Sequence, residues 1–121
     1  RLSINFEKKR TGKEPLYIAL DTSSPGYDIL SVVSSNDMSR LCIEVKSSEQ
    51  NINQANFHLT RNEYEQAKLI ENYQIHLWLL NNNEYRHLIL EFGVVEKHCP
   101  EDKKSGKWES VKIPFGSFNW E

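Results

Sequence analysis

The stretch Arg40-Leu41-Cys42-Ile43-Glu44-Val45-Lys46-Ser47 decides how the chain is read. Successive side chains of an extended strand point to opposite faces. Leu41, Ile43 and Val45 therefore form one apolar face, while Glu44 and Lys46 project side by side from the other. Tyr27 to Val33 reads as the preceding strand, and Ser34-Ser35-Asn36-Asp37 as a hairpin-like connection between the two. Asp28 sits on that earlier strand, where hairpin geometry can bring it close to Glu44. Two carboxylates and one ammonium would then share a patch of sheet.

Outward from this hairpin the pattern stays mixed. On the N-terminal side, Leu16 to Leu20 is a short strand followed by the turn cluster Asp21-Thr22-Ser23-Ser24-Pro25-Gly26. Leu2, Ile4 and Phe6 alternate like a strand, yet Leu2 and Phe6 are also i,i+4 neighbours on a helix. Gly12, just after Lys8, Lys9 and Arg10, marks a helix stop with cations at the negative end of the dipole, so a helix ending near Arg10 is expected. On the C-terminal side, residues 48–56 are a polar loop and Asn56 to Leu59 a short extended piece. Thr60-Arg61-Asn62-Glu63 has the capping-box pattern, and Tyr64, Ala67 and Ile70 follow at helical spacing, which predicts a helix over about 61–71. Tyr73 to Leu80 is a strand with Tyr73, Ile75, Leu77 and Leu79 on one face, Asn81-Asn82-Asn83 a turn, and Tyr85 to Phe92 the return strand. A Pro/Lys/Gly loop over 100–107 and an aromatic-rich tail with Trp108, Phe115, Phe118 and Trp120 complete the chain. The order of helix, three strands, helix and two strands is that of a mixed α/β domain.

Composition narrows the function. The 121 residues suit a single domain over 1–121, with 38% hydrophobic and 26% charged residues. No stretch approaches the ~20 apolar residues that cross a bilayer, and Leu2, Ile4 and Phe6 are too interrupted by polar residues for a secretory signal. Two cysteines, Cys42 and Cys99, cannot build a disulfide scaffold or a four-cysteine zinc site; Cys42 reads as a buried free thiol in a reducing, cytoplasmic setting. A net charge of −2 argues against a simple polyanion-coating protein. The chain begins at Arg1 rather than Met, so a domain excised from a longer protein is expected.

The Asp28, Glu44 and Lys46 set has the chemistry that phosphodiester hydrolysis requires. Hard carboxylate oxygens hold Mg²⁺, which keeps several waters for substrate and nucleophile. The metal polarises the phosphoryl group and acidifies a water, and a nearby lysine orients that water or offsets developing charge. On spacing alone, an Asp, a Glu and a Lys on the solvent face of a sheet are better explained as surface ion pairs worth ~0–1 kcal/mol, because a Glu-x-Lys triplet occurs by chance in many proteins. The four histidines, His58, His76, His87 and His98, show no metal-ligand spacing. Lys8, Lys9, Arg10 and Lys13, and Lys103, Lys104 and Lys107, are two basic clusters that could hold phosphates. Trp108 and Trp120 are expected in the core rather than stacked on bases.

Gly26-Tyr27-Asp28-Ile29, Ile43-Glu44-Val45-Lys46-Ser47-Ser48, and Phe57-His58-Leu59-Thr60-x-x-Glu63 with Ala67 together resemble the PD-(D/E)xK nuclease superfamily. The closer resemblance is to its Mrr-like branch, known from the C-terminal domain of the plant protein NO VEIN and its bacterial relatives. Phe6-Glu7-x-x-Arg10-x-Gly12-Lys13-x-Pro15 is similar to that family's opening helix and turn. The resemblance covers about residues 6–80, with Tyr27 standing where the superfamily name has Pro. It implies a restriction endonuclease-like core of helix, three strands, helix and strand, with an extra C-terminal strand and loop extension. It also implies that Asp28, Glu44 and the main-chain carbonyl of Val45 are metal ligands, that Lys46 is the catalytic lysine, and that Glu7 is an accessory acid near the metal. The expected activity is Mg²⁺-dependent hydrolysis of DNA, with Mn²⁺ substituting, in the nuclease module of a bacterial restriction, antiviral-defence or DNA-processing protein. Expected partners are DNA, further domains of the same polypeptide and a second copy of the chain, without a membrane. Lys8, Lys9, Arg10 and Lys13 are the candidate DNA contacts. The alternative is a catalytically inactive nuclease-fold module for nucleic-acid binding or protein interaction, although an intact Asp28/Glu44/Lys46 set favours the enzyme.

Overall fold

A computed structural model describes residues 2–18, 26–101 and 106–120. The elements in chain order are α1 (Leu2–Thr11), β1 (Leu16–Tyr17), β2 (Ile29–Ser34), β3 (Asp37–Ser48), β4 (Asn56–Thr60), α2 (Arg61–Leu69), β5 (Tyr73–Asn81), β6 (Glu84–Glu91), α3 (Phe92–Glu96) and β7 (Ser110–Pro114), followed by a 3₁₀ turn (Phe115–Ser117). Five strands form one sheet in the order β1-β2-β3-β5-β6, and β4 pairs with β7 in a separate two-stranded sheet. β1, β2 and β3 run antiparallel, and β3 lies parallel to β5 after the crossover through β4 and α2. This is the expected mixed α/β order, consistent with an α/β nuclease-like core.

The alternation in β3 divides the interior into two layers. On one face Ile43 and Leu41 pack with Ile29 of β2 and with Ile4 of α1. On the other face Cys42 joins Ile75, Leu77 and Leu79 of β5, Ala67 of α2, and Phe57, Leu59, Ile113 and Phe115 of the small sheet. Cys42 is the buried free thiol expected. Trp108 and Trp120 are half-buried; Trp120 stacks on Phe115 and donates its indole N–H to the Phe115 carbonyl.

A buried polar cluster fastens α1 to the sheet. Trp78 Nε1–H donates to Ser3 Oγ at 2.7 Å, and Ser3 Oγ and His76 Nδ1 are hydrogen-bonded at 2.8 Å. Glu7, wholly buried, accepts from Arg10 Nε at 3.0 Å and from Ser31 Oγ at 2.7 Å. Burial, with His87 and Arg10 nearby, pushes the His76 pKa down to about 3, so the ring is neutral.

Three local features differ from expectation. The return strand ends at Glu91, and Phe92 to Glu96 is helical. The helix forms there because Phe92 and Val95 are buried together at the i,i+3 spacing of a helix face. The helix predicted over 61–71 stops at Leu69, because Ile70 is already extended with ψ 130°. The third strand is longer than expected, since the hairpin continues its pairing out to Ser34 and Asp37. Residues 19–25, which hold the expected end of the first strand and its turn, and Lys103 and Lys104 lie outside the described residues. Among the described residues no helix is long and apolar enough to cross a membrane.

Candidate active site

The site grows from the point where β2 leaves β3. Ile29 is the first β2 residue, paired with Ile43, and the Asp28 N–H donates to the Ile43 carbonyl at 2.8 Å. One residue before Ile29, Asp28 faces the same side as Glu44. Its Oδ2 accepts the Val45 N–H at 2.9 Å, so the side chain takes the place of the departing strand. In antiparallel pairing a residue's N–H and C=O leave the strand on the same edge. The Val45 carbonyl therefore points to the Asp28 edge of β3, and its side chain packs on the α1 face. Gly26 leads into Asp28 with φ 91°, and a Cβ there would meet Gln66 Cγ of α2 at 2.8 Å; only glycine lets the chain pass this close. The Tyr73 hydroxyl donates to the Gly26 carbonyl and fixes the approach.

Glu44 is 5% exposed. Lys46, two residues along the same face, brings its Nζ to 3.3 Å from Glu44 Oε2. The same Nζ lies 3.1 and 3.2 Å from the two carboxylate oxygens of Glu63 on α2. Glu63 is held in turn by the helix cap. Its backbone N–H donates to Thr60 Oγ1 at 3.1 Å, and its Oε1 accepts the Thr60 N–H at 3.0 Å, the reciprocal pair of a capping box. The Thr-x-x-Glu pattern thus marks the helix start as expected, but it carries no sign of the second role. That role arises because the crossover lays the first turn of α2 over β3.

Two carboxylates therefore pair with one ammonium, and Asp28 lies near enough to Glu44 for its charge to be felt there. Burial first, and the Glu63 carboxylate second, push the Glu44 pKa up to about 9, against the opposing pull of Lys46; Asp28 adds to the rise. Tyr73, buried beside Glu44, Glu63 and Asp28, is raised far above the ordinary phenol value and stays protonated. Without a further cation, Glu44 holds its proton at neutral pH.

Among the described residues no group of three or more His, Cys, Asp or Glu side chains is arranged to hold a metal ion alone. Mg²⁺ does not need such a group, since it binds through one or two carboxylates with waters and substrate oxygens completing its shell. Asp28 and the Val45 carbonyl lie on the same edge of β3, Glu44 is near enough to Asp28 to feel its charge, and all three present hard oxygens of the kind such an ion takes. The residues fit a hard divalent ion.

Glu7 does not belong to this site. Its partners Ser31 and His76 alternate with β2 and β5 residues that face α2, so Glu7 lies on the α1 side of the sheet, opposite Glu44. The expected accessory acid is instead the anchor of Arg10, which also donates to the Val32 and Val33 carbonyls at 2.6 Å. Lys8 pairs with Glu14 at 3.2 Å, while Lys9 and Lys13 are exposed at the same end of α1. The N-terminal basic cluster is thus separated from Asp28, Glu44 and Lys46 by the sheet. Arg40 was overlooked. It lies on the Glu44 face of β3 and lines a cavity of about 360 Å³ with Tyr27, Cys42 and Asn72. The signal was present in the alternation Arg40, Cys42, Glu44, Lys46.

No curated protein and no solved structure matches the chain. The family model described as Protein NO VEIN, C-terminal, matches residues 1–88, which contain every residue of this site, and the chain belongs to that family.

Proposed function

We propose that the domain is a metal-dependent deoxyribonuclease of PD-(D/E)xK type that hydrolyses DNA phosphodiesters. The observation that carries the reading is the convergence of Asp28, Glu44 and the Lys46 ammonium on one face, where β2 parts from β3. Asp28, Glu44 and the Val45 carbonyl would hold Mg²⁺ or Mn²⁺. When bound, such an ion supplies Lewis-acid polarisation of the phosphoryl group and a more acidic water. Lys46 orients the attacking water and offsets charge gathering on the phosphoryl oxygens in the transition state. The water oxygen forms the new P–O bond as the bond to the leaving oxygen breaks; the water gives up one proton to solvent, and solvent supplies one to the leaving oxygen.

Arg40 supports a phosphodiester chain as the substrate. It projects from the Glu44 face about 13 Å away along β3, at ~3.3 Å per residue, and is a cation for a neighbouring phosphate. The proposal extends to a nuclease module within a larger restriction, defence or DNA-processing polypeptide. Incubation of plasmid and linear DNA with the domain in Mg²⁺ or Mn²⁺ tests the reading. Wild type is expected to cut and Asp28→Asn to lose cleavage. Absence of cleavage by wild type, alone and in its full-length polypeptide, overturns it in favour of a binding module.

A further inference from the structure

Glu63 is placed to do more than cap a helix. A lysine ammonium is a point charge on a flexible four-carbon stem, without the fixed fork of arginine, so its position is set by its partners. Among the described residues the carboxylate partners of Lys46 are Glu44 and Glu63. Glu44 is the proposed cation ligand, so its charge is committed once the metal is bound. Glu63 then remains as the negative partner of Lys46. It is also well restrained, because one of the two oxygens that face Lys46, Oε1, accepts the Thr60 N–H as well. Swinging Glu63 away from Lys46 would break the capping box. Both side chains are only 16% exposed, which limits competition from water.

We infer that Glu63 is the positioning residue for Lys46, and that this one carboxylate couples the start of α2 to the reacting end of the lysine. The inference rests on the nuclease reading above for its effect on rate, but not for its effect on Lys46 itself.

The test compares wild type, Glu63→Gln, Lys46→Ala and the double variant, with Thr60→Ala as a control for the cap. Gln also serves as the capping-box partner, so Glu63→Gln removes the charge and keeps the cap. The expected result is a fall in kcat of about 10–100-fold, the usual effect of losing a supporting side chain, with KM for DNA and Tm near wild type. The double variant should be no slower than Lys46→Ala, since Glu63 acts through Lys46. Thr60→Ala should lower Tm and leave kcat near the wild-type value. A second readout needs no cleavage. The NMR order parameter of the Lys46 side chain should fall in Glu63→Gln and stay high in Thr60→Ala. An unchanged order parameter in Glu63→Gln overturns the inference, whether or not kcat changes. So does a double variant much slower than Lys46→Ala alone. If wild type cuts no DNA, the nuclease reading falls and the order parameter alone decides whether Glu63 holds Lys46.

Discussion

In metal-free protein, Glu44 should make the fold less stable as pH rises, and Glu44→Gln should remove that penalty. The sign follows from the direction of the shift. The folded pKa, about 9, lies above the ordinary 4.5, so the folded state binds the proton more tightly than the unfolded state does. Stability from this group is complete below about pH 4.5 and is lost progressively up to about pH 9. At pH 7 the unfolded carboxyl is two and a half pH units above its ordinary pKa of 4.5; at 1.36 kcal/mol per unit the penalty is about 3 kcal/mol. A further ~2 kcal/mol is lost between pH 7 and pH 9, where the slope flattens as the folded group begins to ionise. His76 does not confuse this window. Its folded pKa near 3 lies below the ordinary 6.5, so its contribution is lost only as pH falls below about 6.5. Urea unfolding in EDTA at pH 7 and pH 9 measures the effect. Wild type should lose about 2–3 kcal/mol across the window, and Glu44→Gln should stay nearly flat. At pH 7 the variant should be the more stable protein, by roughly 10 °C in Tm for a chain of this size. Mg²⁺ should stabilise wild type and leave Glu44→Gln unchanged. A Glu44→Gln variant less stable than wild type in EDTA, or with the same pH slope, refutes the reasoning.

Other perturbations test the scaffold. Thr60→Ala should cost ~1 kcal/mol in denaturant unfolding, because it removes the acceptor for the Glu63 N–H. Arg10→Ala leaves the Glu7 carboxylate buried without its cation and should cost about 3–5 kcal/mol, enough to lower the thermal midpoint sharply. Gly26→Ala combines a φ of 91° with a 2.8 Å clash against Gln66, and should destabilise the protein by more than ~1 kcal/mol while shifting the Asp28 approach. Equal stability of Gly26→Ala and wild type by chemical denaturation counts against this account of the turn.

The architecture was legible where the pattern is local. Alternation over 40–47 marks β3 and the face of Glu44 and Lys46, the Thr60–Glu63 spacing marks the start of α2, and the Asn run marks the β5–β6 hairpin. Asn82 and Asn83 take φ of 55° and 62° there, a conformation asparagine tolerates. Pairing across long separations was not legible. Nothing in Phe57 or Ile113 alone says that β4 and β7 form their own sheet. The same limit governs the site. Asp28, Glu44 and Lys46 could be brought together by a hairpin argument, since adjacent strands share a register. Glu63 joins them only through the crossover of α2. Glu7 is removed from them by the side of the sheet on which α1 packs, and no periodicity in residues 2–11 reveals which side that is.

Single-turnover cleavage measured alongside DNA affinity, for wild type and Lys46→Ala, tests the central claim most directly. With affinity taken in Ca²⁺ and cleavage in Mg²⁺, the account predicts a rate about 10²-fold lower for Lys46→Ala and an affinity close to wild type, because one cation among several contributes little to binding. Equal cleavage rates, or a loss confined to affinity and its salt dependence, would contradict it.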